Sequence, residues 1–176
     1  MSEAVSARDP GERSPAPDFD PLRLVPFAPE HERAIVGLIA AVYAEYRQQI
    51  ELDTLDEDLR RIPEVYHGPE CAFWVLLDGD RPVGTVAVKH APDGDAELKR
   101  VFLHPSRRGL GIGRRLVLWA FEWARARGHA RIHIWSDVLF RTSHSMYRSL
   151  GAEDTGRRRV LGGINHVEEF YFSKTL

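Results

Sequence analysis

The sequence predicts an α+β fold in which helices flank a mixed, mostly antiparallel central sheet. Short β-rich runs alternate with segments whose apolar residues recur every three to four positions. β-rich runs joined by tight turns indicate an antiparallel meander, and residues 96–127 read as a strand, a glycine-rich loop and a helix. The expected order is strand, two helices, three strands, helix, strand, helix and two strands.

Composition limits the classes of function. The 176 residues suffice for one domain with a full core, and a formal net charge of -2 gives no reason to expect nucleic acid or an anionic membrane as partner. Cys71 is the only cysteine, and no apolar run has the length of a membrane span or signal peptide. The eight histidines show neither HExxH nor a cysteine partner spacing. We therefore expect a cytoplasmic protein without a metal.

The N-terminal elements are read as follows. Residues 1–20 are rich in proline and charge and lack apolar periodicity, which predicts a disordered tail before a domain over residues 21–176. Residues 22–27 are a strand candidate, and Pro29 opens a helix. Its one-sided apolar positions are Ile35, Leu38, Ile39, Val42 and Tyr46.

A second, short helix is predicted from the T-x-x-E spacing of Thr54 and Glu57, typical of a capping box, and should end near Pro63. An acidic stretch surrounds its start. It comprises Glu51, Asp53, Asp56, Glu57 and Asp58. The ordinary interpretation of such a stretch is a solvated face with a helix cap.

The meander consists of strand candidates at residues 72–78, 83–90 and 96–103. The helix predicted over residues 113–127 is apolar on more than one side, which core packing explains for the most part and which a homodimer interface could also use.

The C-terminal part begins with residues 130–135, a strand reached by a crossover and hence parallel to the strand at 96–103. Ligands collect beyond the carboxyl ends of such strands. A helix over about 140–150 and strands near 158–161 and 167–173 complete the chain.

The glycine-rich loop carries the strongest functional signal. Arg108, Gly111 and Gly113 fit R-x-x-G-x-G, so backbone N–H groups can turn toward one point at a helix N-terminus, an arrangement suited to a pyrophosphate. A P-loop would need Lys-Ser/Thr where Arg114 stands, and a dinucleotide fingerprint would need glycine there. The remaining alternative is a turn whose glycines serve only its backbone conformation.

The stretch AELKRVFLHPSRRGLGIGRRL resembles motif A of the GNAT superfamily of N-acetyltransferases, whose Q/R-x-x-G-x-G/A loop holds the pyrophosphate of acetyl-coenzyme A. The layout from about Leu22 to Leu176 is compatible with that family. The resemblance implies a GNAT-like fold and acetyl-CoA as acetyl donor. The cofactor-binding residues that it implies are Val101, Phe102, Leu103, Arg108, Gly109, Leu110, Gly111, Ile112, Gly113 and Arg114.

The implied reaction is acetylation of a primary amine by direct attack in a ternary complex. An alkyl amine has a pKa near 10.4, so it needs a base at neutral pH. Glu97 is the candidate, because its distance to Arg108 equals that between glutamate and loop in the histone-acetyltransferase branch. The alternatives are a glutamate paired with Lys99 or Arg100, or simply exposed, with ordered water serving as base. A strand N–H near residues 101–103 would polarise the thioester carbonyl.

The proton for the departing thiolate is assigned to Tyr147. It lies in S-x-x-M-Y-x-x-x-G-A, which resembles the family's A-x-x-L/F-Y-x-x-x-G-F, although Ser143 and Ala152 depart from it and Phe140 replaces a frequent upstream asparagine. The alternative is a core tyrosine with a satisfied hydroxyl.

Acceptor recognition is expected from Asp137, Arg141 and His144, with Asp137 for an ammonium and Arg141 for a carboxylate. An Asp–Arg salt bridge that caps the helix is the alternative. The acidic stretch could also favour a cationic amine. A small-molecule amine is preferred over a protein lysine or N-terminus, and a non-catalytic acyl-CoA sensor is the other alternative.

Overall fold

The computed structural model describes residues 18–176. It confirms the predicted order of elements and the α+β class. The strands are β1 (Arg23–Pro26), β2 (Ala72–Asp78), β3 (Arg81–His90), β4 (Ala96–Leu103), β5 (Arg131–Asp137), β6 (Glu153–Gly162) and β7 (Val167–Thr175). The helices are α1 (Glu32–Glu45), α2 (Ile62–Val65), α3 (Ile112–Ala126) and α4 (Arg141–Ser149).

The strands form one seven-stranded sheet in the order β1-β2-β3-β4-β5-β7-β6. All neighbours are antiparallel except β4 and β5, which run parallel as the crossover through α3 requires. Strand β7 inserts between β5 and β6, so the last hairpin lies beside the end of β5.

The parallel pair opens partway along its length. Pairing of β4 with β5 reaches only Leu98 and Ile134, whereas β5 stays paired with β7 up to Asp137. Strand β4 also bulges. Lys99 pairs with Ala87 of β3 and Phe102 pairs with Thr85, so Arg100 and Val101 together lie opposite a single residue of β3. A gap therefore opens at the carboxyl end of β4.

Apolar side chains pack on both faces of the sheet. One core layer lies against α3 and includes Leu98, Leu116, Ile134 and Phe172. The other lies against α1 and α2. Its members include Ile35, Ile39, Leu59, Phe73, Val75 and Phe102. Strands β2 and β3, which lead into β4, are thus buried on both faces.

The predicted capping box is wrong. The Thr54 hydroxyl donates to Glu51 Oε2 at 3.0 Å, and residues Glu57–Arg60 form a 3-10 turn before α2. The turn begins after Asp56 rather than Thr54, and Asp56 makes no capping hydrogen bond because its carboxylate is held by Arg100 and by the Glu51 amide.

The predicted tail lies mostly in residues 1–17, outside the described residues. Phe19, within the predicted tail, is 3% exposed, packs in the core and has the Arg115 guanidinium 4.5 Å from its ring centroid. The folded domain therefore begins before residue 20. Among residues 18–176, no helix has the length and apolar character needed to cross a membrane.

Candidate active site

Two cavities meet where β4 and β5 separate. The first, which we call the loop cavity, has a volume of 290 Å³ and lies between the glycine-rich loop, the end of β4 and α4. The second, the strand-end cavity, has a volume of 130 Å³ and lies beyond the carboxyl ends of β4 and β5. Both are lined by Val101, Phe102 and Phe140, so these three residues form the boundary at which the two cavities meet.

The loop cavity brings together nearly all the residues predicted to bind the cofactor. Its lining includes Val101, Phe102, Leu103, Arg108, Gly109, Gly111, Ile112, Gly113 and Arg114. Leu110 is outside this lining and is 66% exposed. The loop therefore presents mainly backbone and small side chains to the cavity.

Backbone N–H groups converge at the start of α3. Gly109 and Gly111 have φ values of +76° and +74°, which a side chain would strain. The first α3 hydrogen bond joins the Arg115 N–H to the Gly111 carbonyl at 3.1 Å, so the N–H groups of residues 112–114 have no acceptor within the helix. Together with the helix dipole they suit an anion.

Arg108 braces this loop. Its guanidinium donates two hydrogen bonds to the Glu45 carboxylate, at 2.7 and 2.9 Å, and a third to the Leu103 carbonyl at 3.1 Å. The loop is thereby joined to α1 and β4. Because the Arg108 guanidinium already donates to Glu45, the backbone N–H groups at the start of α3 are more available than Arg108 to bind an anion.

Tyr147 lines the strand-end cavity and is 4% exposed. Burial raises the pKa of its hydroxyl above the ordinary value, and no hydrogen bond from residues 18–176 opposes that shift. The group is therefore protonated at neutral pH and holds a proton that it can donate.

Glu97 lies on β4 opposite His133 of β5. Its carboxylate is 3.4 Å from Lys99 Nζ, and its side chain is 20% exposed. Lys99 lines the strand-end cavity, but Glu97 lines neither cavity. Glu97 thus contacts a residue of the cavity wall, Lys99, without itself lining the cavity.

The three predicted acceptor residues do not converge. Asp137 is buried, lines the strand-end cavity, and accepts from Gln48 Nε2 at 2.6 Å and the Leu139 N–H at 2.8 Å. Arg141 is exposed. Neither Arg141 nor His144 lines either cavity.

His144 is directed to the opposite face of β5. Its Nε2 lies 3.2 Å from Ser136 Oγ, and its ring packs against Phe170 and Phe172. Burial lowers the pKa of this imidazole. Ser136 and Asp137 are consecutive strand residues whose side chains point to opposite faces, and the His144 side chain meets Ser136.

Two carboxylates of the acidic stretch are engaged by a buried arginine whose role sequence reasoning missed. Arg100 has φ +51°, and its side chain is 9% exposed. Its NH1 donates to Asp56 Oδ1 at 2.7 Å, and it contacts both carboxylate oxygens of Asp58. Burial alone would raise the pKa of Asp58, but the charge and hydrogen bonds of Arg100 outweigh it, so that pKa lies below its ordinary value.

The tip of the β6–β7 hairpin lies at the strand-end cavity, another feature not predicted. Asn165 at its tip accepts from the Gln49 N–H at 2.8 Å and donates to the Gln49 carbonyl at 2.7 Å. The same side chain donates to Glu51 Oε1 at 2.9 Å. The hairpin tip is thus tied to the segment between α1 and α2.

The rest of the strand-end cavity carries charges of both signs. Arg159 of β6 pairs with Glu169 of β7 at 2.6 Å, and its guanidinium lies 4.2 Å from the centroid of the Trp135 ring. These three side chains and Lys99 line the cavity. A polar acceptor therefore meets both cations and carboxylates.

Comparison with known proteins agrees with this geometry. The acetyltransferase (GNAT) family matches residues 39–152, more than half of the chain. The chain belongs to this family and is an acyltransferase that takes its acetyl group from acetyl-CoA.

The chain is 28% identical over 140 residues to the uncharacterized N-acetyltransferase YjgM of Escherichia coli K12, a match that covers 77% of this chain and 83% of that protein. A crystal structure of an acetyltransferase from Streptococcus agalactiae superposes with a TM-score of 0.78 at 24% identity, covering 90% of this chain and 100% of that one.

A putative streptothricin acetyltransferase from Bacillus anthracis, crystallised in complex with acetyl coenzyme A, has a TM-score of 0.56 and 19% identity over 64% of this chain and 67% of that one. Several rat and mouse relatives of the N-acetyltransferase 8 group are longer, and this chain spans roughly half of each.

Proposed function

We propose that the protein acetylates a primary amine of a small molecule by direct attack of the amine on acetyl-CoA in a ternary complex. The observation that carries this proposal is the small strand-end cavity, which meets the loop cavity at Val101, Phe102 and Phe140. Its volume of 130 Å³ lies below the roughly 300–1,000 Å³ common for drug-sized ligands, so it suits a small acceptor.

The bridge between the α1–α2 segment and the β6–β7 hairpin supports a small molecule over a protein chain. A peptide acceptor would have to lie across the site between the α1–α2 segment and the β6–β7 hairpin. The hydrogen bonds of Asn165 with Gln49 and Glu51 join those two segments. An extended chain along that path would meet this bridge.

We assign the pyrophosphate of acetyl-CoA to the N–H groups at the start of α3. The pantetheine then lies along residues 101–103 of β4, whose edge has no β5 partner beyond Leu98. Backbone groups of that edge can accept or donate to the pantetheine amides, and one N–H can polarise the thioester carbonyl. This places the thioester beside the three shared side chains.

The two proton transfers are assigned to Tyr147 and Glu97. Tyr147 donates to the departing thiolate, since it is protonated and faces the strand-end cavity. Glu97 stands behind Lys99, so it takes the ammonium proton through water rather than by contact.

For the acceptor we retain Asp137 and add Glu169 as partners of the ammonium group, because both carboxylates line the cavity. Lys99 and Arg159 are the matching partners for an anionic group on the same molecule. Arg141 and His144 lie outside the cavity lining and have no role in this scheme.

The test is an amine panel that includes amino acids, polyamines and lysine peptides, followed by release of free thiol from acetyl-CoA. With a responsive small amine, Tyr147→Phe should lower kcat by roughly 10²–10⁴-fold while the acetyl-CoA Kd stays unchanged. Tyr171→Phe is the matched control, since its hydroxyl contacts His133 and it lines neither cavity.

Two outcomes would contradict the proposal. A response to lysine peptides alone would refute the small-molecule acceptor. An unchanged kcat in Tyr147→Phe would refute the role of its hydroxyl and leave the cofactor site untouched.

A further inference from the structure

Three side chains from separate segments meet at the end of the sheet opposite the cleft. Glu70 precedes β2, His90 ends β3, and His129 lies between α3 and β5. One potential ligand atom from each lies within 4.8 Å of the others. Sequence spacing could not show this group, because the residues are 20 and 39 positions apart.

His129 is the informative member, because one of its nitrogens has no partner. The residue is 5% exposed, and its Nδ1 lies 3.1 Å from the Gly94 carbonyl. A carbonyl only accepts, so Nδ1 carries the proton and Nε2 has a free lone pair. Among residues 18–176, nothing hydrogen-bonds to this buried Nε2. A buried acceptor without a partner is costly, which indicates a missing ligand.

The geometry of the other two ligands fits a metal. His90 Nδ1 and Glu70 Oε2 are 3.3 Å apart. Two ligands at about 2.0–2.1 Å from one Zn²⁺ at the tetrahedral angle lie roughly 3.4 Å apart. The rings of His90 and His129 have centroids 5.7 Å apart. Two imidazoles and one carboxylate can thus surround one ion.

The surroundings also favour a cation. The backbone N–H of His129 donates to the Ala124 carbonyl, so the residue sits at the C-terminal end of α3, which carries partial negative charge. The Gly94 carbonyl fixes the tautomer of His129, as the outer partners of metal-bound histidines do. The His90 N–H donates to Cys71 Sγ at 3.4 Å and ties His90 to the residue after Glu70.

We propose that Glu70, His90 and His129 bind a divalent transition-metal ion of the zinc type, with a fourth position left for water. Imidazole nitrogen with carboxylate oxygen is a ligand set that suits such ions. The site is separate from the acetyl-CoA site, because α3 has 15 residues and so lies between it and the glycine loop over about 22 Å. The ion joins the starts or ends of β2, β3 and β5.

A second cluster, formed by Asp93, Asp95 and His133, lacks the decisive feature. His133 Nε2 lies 3.0 Å from Asp93 Oδ2, and its Nδ1 contacts the Tyr171 hydroxyl. Both nitrogens therefore have protein partners. This cluster serves as the internal competitor in the experiment.

The experiment uses the full chain, stripped with EDTA and dialysed, and titrates it with Zn²⁺ by calorimetry. We expect one Zn²⁺ per chain and a melting temperature that rises with Zn²⁺ concentration. His90→Asn and His129→Asn should each weaken binding by more than roughly tenfold, and Glu70→Gln should weaken it as well. Co²⁺ should give the visible absorption of a tetrahedral site in the wild type and not in these three variants.

The matched control is His166→Asn. His166 is exposed at the far hairpin, and its φ of +49° suits asparagine. It should bind Zn²⁺ as the wild type does. Because the His90 and Glu70 side chains are 41% and 47% exposed, their variants test the site even if His129→Asn does not fold.

The proposal is overturned if the wild type shows no saturable Zn²⁺ binding, or if the His90 and Glu70 variants bind as the wild type does. It is also overturned if His133→Asn alone removes binding, since the ion would then belong to the second cluster.

Discussion

Arg100→Met should strongly destabilise the protein, because it leaves two buried carboxylates without a counter-charge. The Arg100, Asp56 and Asp58 side chains are 9%, 4% and 16% exposed. Removing one partner of such a buried group costs about 3–5 kcal/mol. For a chain of this size that corresponds to a drop of roughly 6–20 °C in melting temperature.

The electrostatic origin of that loss can be separated from lost packing. Met and Arg both have a side chain at φ +51°, so the backbone cost is the same in both. Adding Asp56→Asn and Asp58→Asn to Arg100→Met removes the stranded charges, and the triple variant should regain much of the lost stability. If the triple variant is no more stable than Arg100→Met, uncompensated charge is not the cause.

The pH dependence gives a second check by calorimetry or thermal melts. In the wild type the pKa of Asp58 is depressed, so its contribution to stability is present above the unfolded pKa of about 3.9 and is lost as pH falls through the folded value. In Arg100→Met the buried carboxylate has a raised pKa, so its penalty is relieved as pH falls. The gap between the two melting temperatures should therefore narrow in acid, and a gap independent of pH would refute this reasoning.

Two further predictions concern the loop and the N-terminus. Gly113→Asp should abolish acetyl-CoA binding in calorimetry, because it puts a negative charge where the phosphates are assigned. The fold should stay intact, since a Cβ at Gly113 meets only Met146 Sδ at 3.8 Å and an acidic side chain is favourable at a helix N-terminus. Equal affinity in Gly113→Asp and the neutral control Gly113→Asn would contradict the phosphate assignment. A chain beginning at Asp20 should melt roughly 4–12 °C below one beginning at Asp18, because it lacks the Phe19 ring. Burial of that ring contributes about 2–3 kcal/mol to the free energy of unfolding. Identical melting curves would contradict this.

Local sequence patterns predicted the elements and the cofactor loop because their signals are carried by neighbouring residues. Strand 96–103, the glycine loop and α3 form one continuous stretch, and the loop's chemistry comes from its own backbone. The predicted crossover also fixed the parallel pair β4–β5. These features depend little on the rest of the chain.

The strand-end cavity was predicted poorly because its walls come from distant segments. One hydrogen bond beside the cavity joins Asn165 to Gln49, 116 residues away. The spacing of Arg141 and His144 places them near one another on a helix, but it cannot say which face of β5 that helix meets. The packing of His144 against Ser136 settles that question in the structure.

One signal of the missed arginine is present in the sequence. Apolar residues that face α3 occupy positions 96, 98, 101 and 103. The spacing is therefore two residues, then three between 98 and 101, then two again. A strand without a bulge would place Arg100 on the α3 face, inside an apolar core, and would turn Phe102 to that same face. The interrupted alternation therefore predicts an extra residue at 100–101.

The bulge explains why the cleft opens where it does. It moves Phe102 to the α1 face, where its ring lies 5.7 Å from Tyr43 and 6.4 Å from Phe140, and so builds the wall between the two cavities. The left-handed conformation of Arg100 costs about 1–3 kcal/mol, which the ion pairs with Asp56 and Asp58 offset. Because those carboxylates belong to the segment after α1, the residue that bends β4 also holds the acceptor side of the cleft in place. A change at Arg100 should therefore alter stability and acceptor binding together while leaving the cofactor loop intact.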